Sequence, residues 1–345
     1  MTVENIIEKI EEYLAVPAVV TFEQPFIAHL KDDFRDLGCN VEDLGRLLVV
    51  SRPGSKSPRI VTAHIDRHGI IADQGTFEYA AMYAKRKLGL PVEETQGVFD
   101  KIPARFVGNH VYAYDDKGKK LDTAFVYGGL ADFDAKKVTL QIKGFQDLPA
   151  GPTPIAFYSK LKRENGLLSS QIDNCASVAV ARQVMADGFD GKLLLATEEE
   201  IGRSWKHIAD YLLGQGSTSQ EIITLDTTPY EDERAIREGL IILRNRDEHG
   251  VFNPDLVSRL RAACESAGIR YEMKDEFIQT ENATLPAGAK PKKLGKTELG
   301  RIVRHTEGAL NGATIQLPTT NYHTNKETTS ELALGNYYKA LLKLL

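Results

Sequence analysis

The chain has 345 residues, and its 43 Lys and Arg against 48 Asp and Glu leave a formal net charge of −5. That length suits one large domain plus a smaller one, and the acidic balance offers no basic footprint for nucleic acid. No apolar run approaches the ~20 residues that span a bilayer, and MTVENIIEKIEEYLA lacks the cationic start and long apolar stretch of a signal peptide, so a cytoplasmic protein without membrane association is expected. Cys39, Cys175 and Cys264 are an odd set without paired spacing, which reads as reduced thiols.

In chain order, helical spacing of apolar residues predicts helices over Val3–Leu14 and roughly Glu23–Leu37, the second stopped by Gly38. LLVV (Leu47–Val50) and RIVTAH (Arg59–His64) then read as strands around the turn RPGSKSP. A helix over Phe77–Lys87 is expected, followed by strands over Arg105–Tyr114, Thr123–Tyr127 and Lys137–Ile142. From Leu167 onward strands and helices alternate: a helix over Asp173–Ala186, the strand KLLLAT (Lys192–Thr197), a helix around Trp205–Leu213, and the strand EIITLD (Glu221–Asp226). Next come the run REGLIILR, a helix behind the N-cap Asn253, a helix near Glu298–Glu307, the strand ATIQL (Ala313–Leu317) and a C-terminal helix. The pattern predicts an α/β domain, residues 1–66 and 163–345, with a mostly parallel doubly wound sheet and helices on both faces. Residues 67–162 are expected to form a smaller inserted β-rich domain.

In an open α/β sheet, chemistry sits just past the carboxyl ends of the strands. RIVTAH runs into His64 and Asp66, KLLLAT into Glu198, Glu199 and Glu200, EIITLD ends on Asp226, and ATIQL leads through PTTNY to His323. Asp173 stands at a helix start. Each has an ordinary reading: HxD as a packed pair, three glutamates as a solvated face, Asp173 as a helix cap. Their joint placement points instead to a divalent metal centre. Two imidazoles with several carboxylates suit Zn²⁺, with Co²⁺ and Mn²⁺ as relatives. One carboxylate between two ions can bridge them, and an unligated one can accept a proton from a water they share.

As a set these residues resemble the tetrahedral, glutamyl and deblocking aminopeptidases (metallopeptidase family 42). The matching runs are His64-Ile65-Asp66, Asp173-Asn174, Glu199-Glu200-Ile201-Gly202, Leu225-Asp226 and Tyr322-His323. The order and spacing hold over nearly the whole chain, including the insertion after the first motif. The resemblance implies that His64 and Asp226 bind one metal, Glu200 and His323 the other, and Asp173 both. It makes Glu199 the general base and Asp66 the residue that orients the His64 ring, while Glu198 is left to solvent. It also implies two divalent ions, Zn²⁺ first, small peptides as substrates, and a homo-oligomer (a dimer or an assembly of dimers) in which the insert limits access. Exposed strand edges on that insert offer a pairing surface.

The sequence departs from the family at several points. Asp66-Arg67-His68-Gly69 stands where Asp-Glu-Val-Gly is usual, and His68 reads as a hinge or surface histidine rather than a third imidazole. Arg203-Ser204-Trp205 follows the glutamates, and Gly295-Lys296-Thr297-Glu298 replaces a Gly-Thr-Asp-like motif. Ala72–Pro103 is longer and more helical than in relatives. Three functions follow. The first is a metal-dependent aminopeptidase. The second is an amidohydrolase of N-acyl amino acids, motivated by cations at Arg67 and Arg203. The third is a metal-free scaffold that keeps only the fold.

Overall fold

The computed structural model describes residues 2–286 and 288–345. Apolar runs with no in/out alternation become interior strands: every residue of Ile60–His64 is buried, as are Leu193–Ala196, so both faces of these strands are covered. They lie in an eight-stranded sheet of order Asn40–Asp43, Leu47–Ser51, Lys192–Ala196, Ile60–His64, Ile222–Pro229, Gly312–Thr319, Ile241–Leu243 and Tyr271–Met273. The four middle strands from Lys192–Ala196 to Gly312–Thr319 run parallel. Their carboxyl ends therefore share one edge, which is what brings residues distant in sequence together. Leu47–Ser51 and Ile241–Leu243 pair antiparallel with their inner neighbours, so the sheet is mixed though mostly parallel.

Between the first two motif strands the chain builds a closed six-stranded antiparallel barrel. Its order is Ile70–Asp73, Thr76–Tyr79, Lys137–Lys143, Lys120–Asp132, His110–Tyr114 and Thr153–Phe157. The barrel has its own apolar core, including Ile71, Phe106, Val111 and Val126, apart from that of the large sheet. Closure pairs its strand edges, so the exposed edges expected from the sequence are absent there. A small sheet of Lys162–Glu164, Leu167–Ser170 and Glu327–Ser330 follows. It ties the chain leaving the barrel to the segment after the last parallel strand, with Ser170 opposite Glu327.

Asn253 caps the helix Pro254–Ser266 as expected, its side-chain oxygen accepting from Asp255 N and Leu256 N at 3.0 Å each. Elsewhere the structure differs from the sequence reading. Thr76–Tyr79 is a strand and only Ala80–Lys87 is helical, because Gln74 and Gly75, at φ 50° and 76°, turn a hairpin that sets Asp73 opposite Thr76. The strand expected from Arg105 starts at His110, after a single turn at Pro103–Arg105. The helix Lys274–Ala283 is unforeseen, its polar run carrying no apolar stripe. No helix among the described residues is long and apolar enough to cross a membrane, and all three cysteines are buried and free.

Asp33 locks three helices together under the sheet. It accepts from Tyr13 Oη at 2.5 Å, Lys9 Nζ at 3.2 Å and Arg182 Nη2 at 3.1 Å. Burial opposes its charge, but these donors win and hold its pKa below the ordinary 3.8. A carboxyl whose folded pKa is depressed adds stability above its unfolded value and loses it as pH falls through the folded one. The stability difference between wild type and Asp33→Asn should therefore be full at pH 7 and shrink below about pH 4, read from denaturant midpoints across pH. A difference that stays constant down to pH 2 would contradict it.

Candidate metal centre

The four parallel strand ends and the turns beyond them deliver His64, Asp66, Glu199, Glu200, Asp226 and His323 to one edge of the sheet. Asp173 joins them from the turn before the helix Cys175–Ala186, through an Asp173–Asn174 peptide that is cis. Two groups of ligand-type atoms result, each within 4.8 Å of one another: His64 with Asp173 and Asp226, and His68 with Glu200 and His323. His64 Nε2 lies 3.1 Å from Asp173 Oδ1 and 3.6 Å from Asp226 Oδ1. The other oxygen of the same carboxylate, Asp173 Oδ2, lies 3.4 Å from His323 Nε2. Asp173 thus turns one oxygen toward each group.

His68 corrects the sequence reading. It is buried rather than on the surface, with Nε2 3.1 Å from Glu200 Oε2 and its ring centroid 4.1 Å from that of His323. Its Nδ1 meets the Tyr79 hydroxyl at 2.6 Å. Glu198 is corrected as well. It is buried, in a left-handed conformation (φ 69°), and meets His207 at 3.0 Å, Arg46 at 3.4 Å and Arg203 at 3.5 Å rather than either group of ligand-type atoms. Although burial opposes ionisation, those partners hold its pKa below the usual glutamate value.

Asp66 sits 3.7 Å from His64 Nδ1, too far for a hydrogen bond, and His64 Nδ1 instead lies 3.2 Å from the Asp66 carbonyl. The Asp66 carboxylate accepts Glu199 N at 2.9 Å and Glu200 N at 3.0 Å. It therefore fixes the short turn that carries both glutamates. The sequence reading missed Glu327, which is fully buried and accepts Asp173 N at 3.0 Å and the Thr319 hydroxyl at 2.7 Å. It also missed Tyr337, whose hydroxyl accepts Asp226 N at 3.1 Å. Neither lies in a motif, and no spacing signal marks them.

Charge and burial oppose each other throughout this site. Burial, reinforced by neighbouring carboxylates such as Asp226, pushes Glu199 up to about 8 and raises Glu200, Asp226 and Glu298 as well. For Asp173, burial is outweighed by hydrogen bonds to His323 and His64, and its pKa falls. Burial also works against the charge on His64, but its bonds to Asp173 and Asp226 raise its pKa, whereas burial lowers those of His68 and His323. Glu200 Oε1 and His68 Nε2 are buried with no hydrogen-bond partner, which is costly for polar atoms unless a cation joins them. The donor set of imidazoles and carboxylates fits divalent ions.

A cleft of about 410 Å³ opens over the second group, lined by Glu199, Glu200, His323, Tyr322, Arg105 and the Glu93 region. Glu93 reaches from the long segment of the insert to Arg301 at 2.7 Å and Lys296 at 3.4 Å. Arg67 faces away, its guanidinium held by the carbonyls of Val16 and Tyr13 and lying over Phe26. Cys175 is buried, and burial raises its thiol; His110 lies in the barrel, outside the cleft lining.

No family model and no curated protein matches the chain by sequence. Solved structures do match over nearly its full length. The TET aminopeptidase of the marine sediment archaeon Thaumarchaeota archaeon SCGC AB-539-E09 superposes with a TM-score of 0.69 at 16% identity, over 100% of this chain and 96% of that one. The TET1 peptidase of Pyrococcus horikoshii, which can assemble into a tetrahedron or a large octahedral shell, gives 0.68 at 16% over 98% of both chains. A Thermotoga maritima protein named an endoglucanase gives 0.65 at 15% identity, over 97% of this chain and 96% of that one. At such identities the likeness establishes the fold, which here carries more than one activity name, and chemistry has to be argued from the site.

Glu327→Ala should strand the buried Asp173 N–H and Thr319 hydroxyl and cost on the order of 1–3 kcal/mol in denaturant unfolding. Glu327→Gln, which keeps an acceptor, should cost clearly less; equal losses would remove the anchoring role.

Proposed function

We propose that the chain belongs to the tetrahedral, glutamyl and deblocking aminopeptidases and is a dinuclear metallo-aminopeptidase that removes N-terminal residues from short peptides. The observation that carries this reading is Asp173, with Oδ1 3.1 Å from His64 and Oδ2 3.4 Å from His323, the placement a carboxylate shared by two ions requires. His64 and Asp226 would hold one ion, His323 and Glu200 the other, with Asp173 common to both. Divalent ions there would supply Lewis acidity, lowering the pKa of a water from ~15.7 to about 7. Cations beside Glu199 would draw it back toward its ionised form, and from the cleft wall, not needed as a ligand, it takes the proton of the attacking water and passes it to the leaving amine. Asp66 holds Glu199 and Glu200 at their stations through two backbone N–H groups. Zn²⁺ is the first choice of ion, with Co²⁺ or Mn²⁺ as substitutes.

Chelation should abolish hydrolysis of aminoacyl-anilides and Zn²⁺ or Co²⁺ should restore it, with two ions per chain by metal analysis. Glu199→Ala should retain both ions and lose ~10²–10⁴ in turnover. Activity that persists in strong chelator, or an unaffected Glu199→Ala, would refute this reading.

Hydrolysis of N-acyl amino acids is a second reading with one observation in its favour. Arg105 lines the cleft 3.5 Å from His323 Nδ1 and forms no salt bridge among the described residues, so its guanidinium is available to a substrate carboxylate. Arg67 and Arg203, the cations that suggested it from sequence, are occupied elsewhere. Adding N-acetyl amino acids to the anilide panel separates the two readings, and turnover of the free-amine substrates alone would eliminate the second. We also propose a homo-oligomer formed through the barrel, where Phe125, Tyr127 and Leu130 of one long strand are exposed. Light scattering should give a mass above that of the monomer, and a clean monomer would dismiss the idea.

A further inference from the structure

His68 makes the two halves of this centre chemically unequal. Without it, each half would hold one imidazole. With it, His68, His323 and Glu200 meet within 4.8 Å on one side, facing His64 with the carboxylates of Asp173 and Asp226 on the other.

The surroundings of His68 fit a ligand better than a hydrogen-bonded spacer. Its Nδ1 is occupied by the Tyr79 hydroxyl at 2.6 Å. Its Nε2 approaches Glu200 Oε2 at 3.1 Å, yet Nε2 has no hydrogen bond of acceptable geometry, and neither has Glu200 Oε1. With the ring proton on Nδ1, donated to the phenol oxygen, Nε2 points a lone pair at a carboxylate. That arrangement is repulsive unless a cation lies between them or Glu200 carries a proton, and the two atoms do not meet in the geometry of a hydrogen bond. With the proton on Nε2 instead, a buried N–H is left badly aimed. Tyr79 is the kind of partner that sets the tautomer and orientation of a metal-bound histidine. The backbone is pinned too, since the His68 carbonyl accepts Gln171 Nε2 at 2.8 Å. His323, at φ 60°, is held in a left-handed conformation opposite it.

We infer that His68 is a ligand and that it divides the centre: with Asp173 shared, each side has two carboxylates, but one has two imidazoles and the other one, so that the imidazole-richer group takes Zn²⁺ while the group around His64 and Asp226 accepts a harder ion such as Mn²⁺. Imidazole favours zinc and carboxylate oxygens suit manganese, so the two sites discriminate when both ions are offered. This rests on the dinuclear reading above and adds an assignment of ion to site.

The test uses the full chain stripped by chelator and given one equivalent each of Zn²⁺ and Mn²⁺. Metal analysis after gel filtration should find one of each, and anomalous maps at the two absorption edges should place zinc between His68 and His323 and manganese beside His64. His68→Asn should abolish the preference and scramble the ions. Tyr79→Phe, which leaves the ring in place, should weaken zinc binding by about 10- to 100-fold. Zinc distributed equally over both sites of the wild type, or a His68→Asn protein that keeps the order, would overturn the inference. Failure to bind any ion would refute the dinuclear reading itself.

Discussion

Everything at this site depends on one electrostatic constraint: too many carboxyl groups share a volume from which water is largely removed. Asp66, Asp173, Glu199, Glu200, Asp226, Glu298 and Glu327 lie at or behind the same sheet edge, and burial pushes every one of them up, outweighed only at Asp173. Like charges at such separations cannot all ionise in a dry protein. Some are stabilised as anions by hydrogen bonds, as Asp66 and Glu327 are in part by backbone N–H groups, and the remainder either hold protons or pair with cations. The imidazoles satisfy only part of that demand. Divalent ions would satisfy the rest, and Glu200 and His68 keep unpartnered atoms at the place where one would sit.

Around this cluster, residues with no chemistry of their own set the geometry. The buried Thr62 hydroxyl donates to Glu298 at 3.0 Å, Tyr337 holds the strand backbone at Asp226, and Tyr322 stacks on His323 with centroids 3.6 Å apart. Asp66 serves the glutamate turn more directly than it serves the His64 ring. One carboxylate thereby links two strand ends that are neighbours in the parallel sheet, so a change in either strand is felt at both.

Much of the fold was legible because its central strands are continuous apolar runs and its helices carry apolar stripes and caps, Asn253 among them. The candidate ligands were legible because parallel strands end at one edge, so His64, Glu200 and Asp226 could be grouped without knowing the pairings. The illegible parts share a physical cause, dependence on tertiary contact. Lys274–Ala283 is a helix made by its surroundings, and Thr76–Tyr79 became a strand because a hairpin partner claimed it. Glu327 and Tyr337 act through single hydrogen bonds that no local pattern announces. His68 was misjudged because nothing in Asp-Arg-His-Gly reveals which of two adjacent side chains turns inward. The backbone sends Arg67 to the first helix and His68 to the centre. Glu198 was misjudged for a related reason, since nothing in three consecutive glutamates reveals that the first is buried against His207, Arg46 and Arg203.

The cleft is built from two separate apolar cores. His64 and Asp226 ride on strands embedded in one, while Tyr79, Arg105 and the Glu93 segment belong to the insert packed on the other. Repacking within the barrel can shift one wall by fractions of an ångström and leave the strand ends where they are. Under the proposed function, what the cleft accepts and how it reacts would be carried on separate pieces of scaffold.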